Sequence, residues 1–132
     1  MTKNYFNINK NNIIKLFNEK KFKKISKISK IILEKFQNDT DLLYLIIISE
    51  INCNNLIKAE NLTNDLLNIK KSKEIHYLLG NILKLQNKNK EAILAYKNSI
   101  DLDETFSEAY NNLANVQKKI NQVDEAYNNY EK

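Results

Sequence analysis

Apolar residues recur along this chain at helical spacing, in blocks of about a dozen residues broken by short polar stretches. The densest block, LLYLIIISEI from Leu42 to Ile51, is about half the length needed to cross a bilayer and predicts a buried helix. Helices are predicted over roughly 9–18, 40–51 and 55–69, and FNEKKFKKISKISKIILEKFQND between the first two reads as a turn followed by a helix. Further on, QNKNK (86–90) and INQVD (120–124) are short polar turns, each between two helices. Pro is absent and Gly80 is the one Gly, so the chain lacks the turn formers that the hairpins of an all-β fold need. The fold class expected is all-α.

The blocks repeat. EIHYLLGNILKLQNKNKEAILAYKNSI (74–100) aligns with EAYNNLANVQKKINQVDEAYNNYEK (108–132) at a constant offset of 34 residues. The offset matches Glu74 with Glu108, His76 with Tyr110, Leu79 with Leu113, Gly80 with Ala114 and Asn81 with Asn115. It goes on to match Lys84 with Lys118, Glu91 with Glu125, Ala92 with Ala126 and Tyr96 with Tyr130. That period is the length of a two-helix repeat. Gly80 and Ala92 fall one on each helix of a hairpin, where small residues let two helices approach closely, and Leu79 and Tyr96 fill the space around the crossing. A shift back by 33 places Ile47 in the Gly80 slot and Ala59 in the Ala92 slot, so this hairpin is expected to pack differently or less tightly. Further back Ile25 replaces the Ala.

This pattern resembles the tetratricopeptide repeat: a large residue, Leu-Gly or Leu-Ala, then Glu-Ala before an aromatic, as in HYLLGNILKLQNKNKEAILAYKNSI and AYNNLANVQKKINQVDEAYNNY. Glu104 stands where that repeat commonly has Pro, which puts the sharpness of the turn there in question. The resemblance implies one α-solenoid over 1–132, a right-handed superhelix of about four antiparallel hairpins at 9–38, 39–72, 73–106 and 107–132, the last incomplete. It implies a concave face lined by the first helix of each repeat, with candidate groove residues Tyr44, Tyr77, Asn81, Lys84, Asn111, Asn112, Asn115 and Lys118, and with Leu45, Ile48 and Leu78 beside them. An Asn amide offers donors and an acceptor, and so matches a peptide unit of either polarity. Asn112, before Leu-Ala, is also similar to the asparagines lining the repeats of O-linked N-acetylglucosamine transferase, though Leu78 and Leu45 stand at the corresponding places.

Charge changes this picture little. The formal net charge is +5, and with no Arg in the chain all 21 basic residues are Lys. Residues 1–41 hold ten Lys against four acids, so the excess is local to the first third. Without a guanidinium fork this cluster reads as a solvated helix face rather than a nucleic-acid surface, so nucleic acid is not an expected partner. The heavy use of Asn, Lys and Ile carries the mark of an AT-rich genome. Cys53 is alone, so an intramolecular disulfide is excluded and a reducing, cytoplasmic setting is expected. The start, MTKNYFNINKNN, lacks the apolar core of a signal peptide.

Catalytic chemistry is not legible. His76 is the single His and occupies a packing slot, Cys53 has no neighbouring His or Cys in sequence, and one Gly cannot make a phosphate loop. DLDE (101–104) reads as a solvated turn. The expectation is a non-catalytic module, with no cofactor or metal, that binds a protein or peptide in its groove. The alternative is the repeat region in front of a glycosyltransferase- or sulfotransferase-type domain. Leu113, Val116, Ala126 and Tyr130 are expected to lack a capping helix, which predicts a frayed end, self-association through that end, or a continuation; the continuation is favoured.

Overall fold

The computed structural model describes residues 8–131, and among them it contains seven α-helices and no strand. Two compact units divide the chain, Met1–Lys70 and Lys71–Lys132. The first holds α1 (Lys10–Asn18), α2 (Phe22–Lys35), α3 (Thr40–Asn52) and α4 (Leu56–Ile69); the second holds α5 (Lys73–Leu85), α6 (Asn89–Leu102) and α7 (Ser107–Glu131). Helices adjacent in sequence pack together within each unit. The N-terminal MTKNYFN lies outside the described residues, as does the side chain of Tyr130.

Two kinds of helix start alternate. The first helix of each hairpin is capped by a side chain: Asn9 accepts from the Asn12 N–H at 2.8 Å, Asp39 from Leu42 at 3.1 Å and Ser72 from Ile75 at 3.2 Å. The second helices α2, α4 and α6 have no such cap. They are entered through one left-handed residue: Lys20 (φ 58°), Asn54 (φ 62°) and Asn87 (φ 61°). The next N–H in each turn bonds a carbonyl five residues back, Lys21 to Leu16, Asn55 to Glu50 and Lys88 to Leu83, so the last carbonyls of the preceding helix are satisfied. Asn tolerates this conformation through its short polar side chain; Lys20 does not share that advantage.

Within the hairpins, bulk is traded between paired positions. Gly80 is buried beneath Tyr96, and a Cβ there would lie 2.5 Å from the ring's Cε1 and 2.7 Å from Cδ1. One repeat earlier the same two slots hold Ile47 and Thr63, and one earlier again Ile13 and Ser29; all four are buried. The large residue has moved to the first helix and the small one to the second. The Ile47 hairpin thus packs differently, as expected, with Thr63 standing where a tyrosine would collide. The hydroxyls of Thr63 and Ser29 donate to carbonyls of their own helices, Ala59 at 2.7 Å and Ser26 at 2.9 Å, so their burial leaves no donor unpaired.

One buried charge ties the first unit together. Glu50, near the end of α3, is fully buried. Its Oε1 accepts from Ser26 of α2 at 2.7 Å and from Asn55 at 2.8 Å, and its Oε2 lies 2.7 Å from the Lys58 ammonium of α4. Lys58 also donates to Ser29 at 2.9 Å. Desolvation pushes this carboxyl's pKa up, but hydrogen bonds from Asn55, Lys58 and Ser26 outweigh it and hold the group below its ordinary value of 4.5.

The last hairpin differs from expectation. No turn forms at 120–124; α7 runs unbroken from Ser107 to Glu131. Asn121 stands 34 residues after the left-handed Asn87 yet remains helical. Two terms favour this. Continuing the helix adds a backbone hydrogen bond for each residue fixed. Folding back in the manner of α6 would bury the amide of Gln117 where α5 presents Leu83, which is 4% exposed. Nor are Leu113 and Val116 left uncovered: Val116 is buried and Leu113 packs beside it against the core around Tyr96, while Ala126 is exposed.

Two stability predictions follow from these contacts. Lys20→Gly removes left-handed strain and raises stability by about 0.5–1 kcal/mol in urea unfolding. Glu50→Ala strands the donors of Ser26 and Asn55 and lowers stability by about 3 kcal/mol. Because the Glu50 pKa is depressed, its contribution is present above the ordinary value of 4.5 and lost as pH falls below it; Glu50→Gln should flatten that acid limb of the stability–pH curve.

Candidate functional site

In the second unit the repeat places equivalent side chains on two helices. Tyr77, Asn81 and Lys84 are spaced i, i+4, i+7 along α5, and Asn111, Asn115 and Lys118 repeat that spacing on α7, 34 residues on. Asn112 joins the two rows. Its Nδ2 donates to the Tyr77 hydroxyl at 3.0 Å and to Asn81 Oδ1 at 2.9 Å. Asn81 Oδ1 also accepts from the Tyr96 hydroxyl of α6 at 2.6 Å. The four side chains thus form one network spanning α5, α6 and α7.

The network rests on the core. Tyr96 is fully buried, and its ring can lie across α5 because Gly80 has no Cβ. Desolvation, with Tyr77 close by, raises the pKa of its hydroxyl, so the proton stays in place as a donor at neutral pH. Tyr77 is held between two rings, with centroids 5.9 Å from Tyr96 and 5.1 Å from Phe106. Phe106 lies under the Lys73 ammonium at 5.0 Å, and Lys73 pairs with Asp103. Asp103 follows Asp101 and Leu102 of the DLDE stretch, which end α6. It is held well below the usual carboxylate range by Lys73 and then by the Thr105 hydroxyl and N–H, and its bonds to Thr105 shape the α6–α7 connection without a proline.

The structure sorts the candidate residues by place. Tyr77, Asn81 and Asn112 are brought together and half-buried; Lys84 is half-buried; Asn111, Asn115 and Lys118 are exposed. Neither Lys84 nor Lys118 makes an ion pair among the described residues. Tyr44 is 38% exposed on α3, in the first unit, where Leu45 packs against the core and Ile48 is half-buried. Leu78 is only 7% exposed, which corrects its assignment to the groove: it shares the α5 face of Ile75 and Ile82, both buried. Sequence reasoning missed the roles of Tyr96 and Tyr77 as partners of the two asparagines; the helical spacing of Tyr77 and Asn81 was available, but the reach of Tyr96 depends on how the hairpin closes.

Two other reactive side chains, His76 and Cys53, lie apart in the chain. His76 is half-buried with Nδ1 unpartnered, and burial, aided by Lys71, depresses its pKa. Cys53 borders a cleft of about 410 Å³ lined mainly by Lys20, Lys21, Lys23 and Lys24. Among the described residues no group of three or more His, Cys, Asp or Glu could hold a metal ion, and no helix is long and apolar enough to cross a membrane.

Residues 80–121 match the family model described as TPR repeat. No curated protein matches the chain by sequence. Among solved structures, one described as the crystal structure of MamA superposes with a TM-score of 0.76 at 21% identity, covering 96% of this chain and 72% of that one. A second MamA crystal structure gives 0.74 at 21% identity, covering 90% of this chain and 66% of that one. A chain in the structure of Naa15/Naa10 bound to HypK-THB gives 0.63 at 22% identity, covering 83% of this chain and 17% of that one. At these identities the likeness is one of fold: helix hairpins stacked as a solenoid.

The geometry around Gly80 carries a prediction. Gly80→Ala forces the Tyr96 ring aside, lowering stability by about 1–3 kcal/mol. It should also shift the side-chain amide resonances of Asn81 and Asn112 in ¹⁵N NMR spectra, although neither residue is altered.

Proposed function

We propose that this chain, whose residues 80–121 match a TPR repeat model, is a tetratricopeptide-repeat protein that binds a protein or peptide partner, without catalysis, on the surface that α5 and α7 share. The observation that carries this reading is the Asn112 side chain bonded to both Tyr77 and Asn81. It turns two separate helix faces into one polar surface of amides flanked by two unpaired lysines. Polar side chains so arranged contribute little to burying apolar area, and they offer a ligand fixed hydrogen-bonding groups beside positive charge. In this proposal the chain acts in the cytoplasm as a scaffold or adaptor. The exposed Val123 and Tyr127 of α7, each 62% accessible, favour a second contact, self-association through the C-terminal half of that helix.

Selection of random displayed peptides on the immobilised chain tests the main reading. Bound peptides should share a sequence pattern, and the double variant Asn112→Ala, Asn115→Ala should weaken them about tenfold, roughly 1.4 kcal/mol, with helicity by circular dichroism unchanged. Recovery of no peptide, or equal affinity for the variant, would refute it.

A further inference from the structure

The lysines of the first third do not all lie on a solvated helix face. At the α1–α2 turn Lys20, Lys21, Lys23 and Lys24 line a cleft of about 410 Å³, together with Cys53 at the end of α3. Among the described residues no carboxylate lines it. Glu19, just before the turn, pairs with Lys21 at 3.0 Å. The Lys21 ammonium holds that carboxyl below its ordinary pKa, and the charges of Lys15 and Lys24 add to the effect. Lys20, Lys23 and Lys24 make no ion pair among the described residues. Lys20 is also held in the left-handed region (φ 58°), where the two equivalent turns place Asn54 and Asn87. Lysine has no short polar side chain to ease that conformation. In a chain rich in Asn, this turn gives up stability to keep an ammonium at the cleft.

We infer that this cleft binds an anion carrying two or more closely spaced phosphates, free or at the end of a larger molecule. The site lies wholly in the first unit and is independent of the α5–α7 surface. Its volume falls in the range of small-molecule sites and exceeds what a single phosphate fills. Three unpaired ammoniums, with a fourth shared by Glu19, match a ligand of several negative charges, and lysine meets phosphate as a point charge without needing a guanidinium fork. Helix α2 begins at the same place. It has no side-chain cap, and its first helical bond runs from the Ile25 N–H to the Lys21 carbonyl. The N–H groups of Phe22, Lys23 and Lys24 therefore lack partners within the helix, and the positive end of its dipole adds to the field of the lysines. Phosphates seated there relieve the mutual repulsion of the ammoniums.

The probe is inorganic tripolyphosphate, titrated calorimetrically into the whole chain at low and at physiological salt. One saturable site is expected, weaker at the higher salt. The double variant Lys23→Gln, Lys24→Gln should weaken it about tenfold, whereas Lys97→Gln, which removes an exposed charge from α6, should leave it unchanged. Lys20→Asn gives the turn the residue of its two equivalents. It should raise stability in urea yet weaken tripolyphosphate about threefold, opposite changes that a purely structural lysine would not produce. Because Cys53 lines the cleft, tripolyphosphate should also slow its modification by a neutral maleimide. Co-sedimentation with phosphatidylcholine vesicles containing phosphatidylinositol bisphosphate, displaced by tripolyphosphate, assigns the phosphates to a lipid; tripolyphosphate binding without co-sedimentation assigns them to a soluble ligand. Either supports the site. Heat that never saturates, equal weakening by Lys97→Gln, or a Cys53 rate indifferent to tripolyphosphate overturns the inference. So does tighter binding of duplex DNA than of tripolyphosphate, which would mark a spread-out basic surface instead of a cleft.

Discussion

The absence of a side chain at Gly80 is the constraint from which the second unit follows. With a Cβ at 2.5 Å from Cε1, the Tyr96 ring could not lie where it does. Without that ring position its hydroxyl would not reach Asn81, and Asn81 would not be oriented to receive Asn112 from α7. One missing methyl group thus links the packing of α5 on α6 to the polar surface shared with α7. Core and candidate site are one structure, and a substitution chosen to test either must allow for the other.

The first unit meets the same requirement of shape by the opposite choice. Ile13 and Ile47 fill the slot that Gly80 leaves open, and Ser29 and Thr63 withdraw from the place of Tyr96. Interiors are close-packed, so what is preserved across these hairpins is the fit of the pair rather than either residue alone. A short second-helix residue cannot reach a side chain of the first helix as Tyr96 reaches Asn81. The first unit instead places a buried carboxylate, Glu50, at the junction of α2, α3 and α4, where specific donors fix the relation of three helices. Its cost is a dependence on pH that an apolar contact would not have.

Much of the fold was legible because its causes are local. The 34-residue offset, the apolar spacing and the lack of Pro gave an all-α chain of hairpins, and the helix limits at 9–18, 40–51 and 55–69 lie within one or two residues of α1, α3 and α4. The turn expected at 120–124 failed for a reason that is not local. Asn121 can adopt the left-handed state, but whether it does depends on what the following segment gains by folding back, and Gln117 makes that gain small. The candidate site divides in the same way. Tyr77, Asn81, Asn111, Asn115 and the two lysines came from the resemblance to a known repeat and recur at equivalent positions of α5 and α7, whereas Leu78, taken in the same way, is buried because the face that α5 buries is set by its neighbours.

By itself the sequence determined which residues are helical, where three of the turns fall and which side chains recur at equivalent positions, since backbone propensity and periodic burial act over a few residues. Tertiary structure alone decided that α7 continues through Asn121, that Glu50 is buried among donors from three segments, and that two asparagines restrain each other through Tyr77 and Tyr96. The asparagine contacts depend on distances between residues 15 to 35 positions apart in the chain, which are fixed only when the helices close on one another.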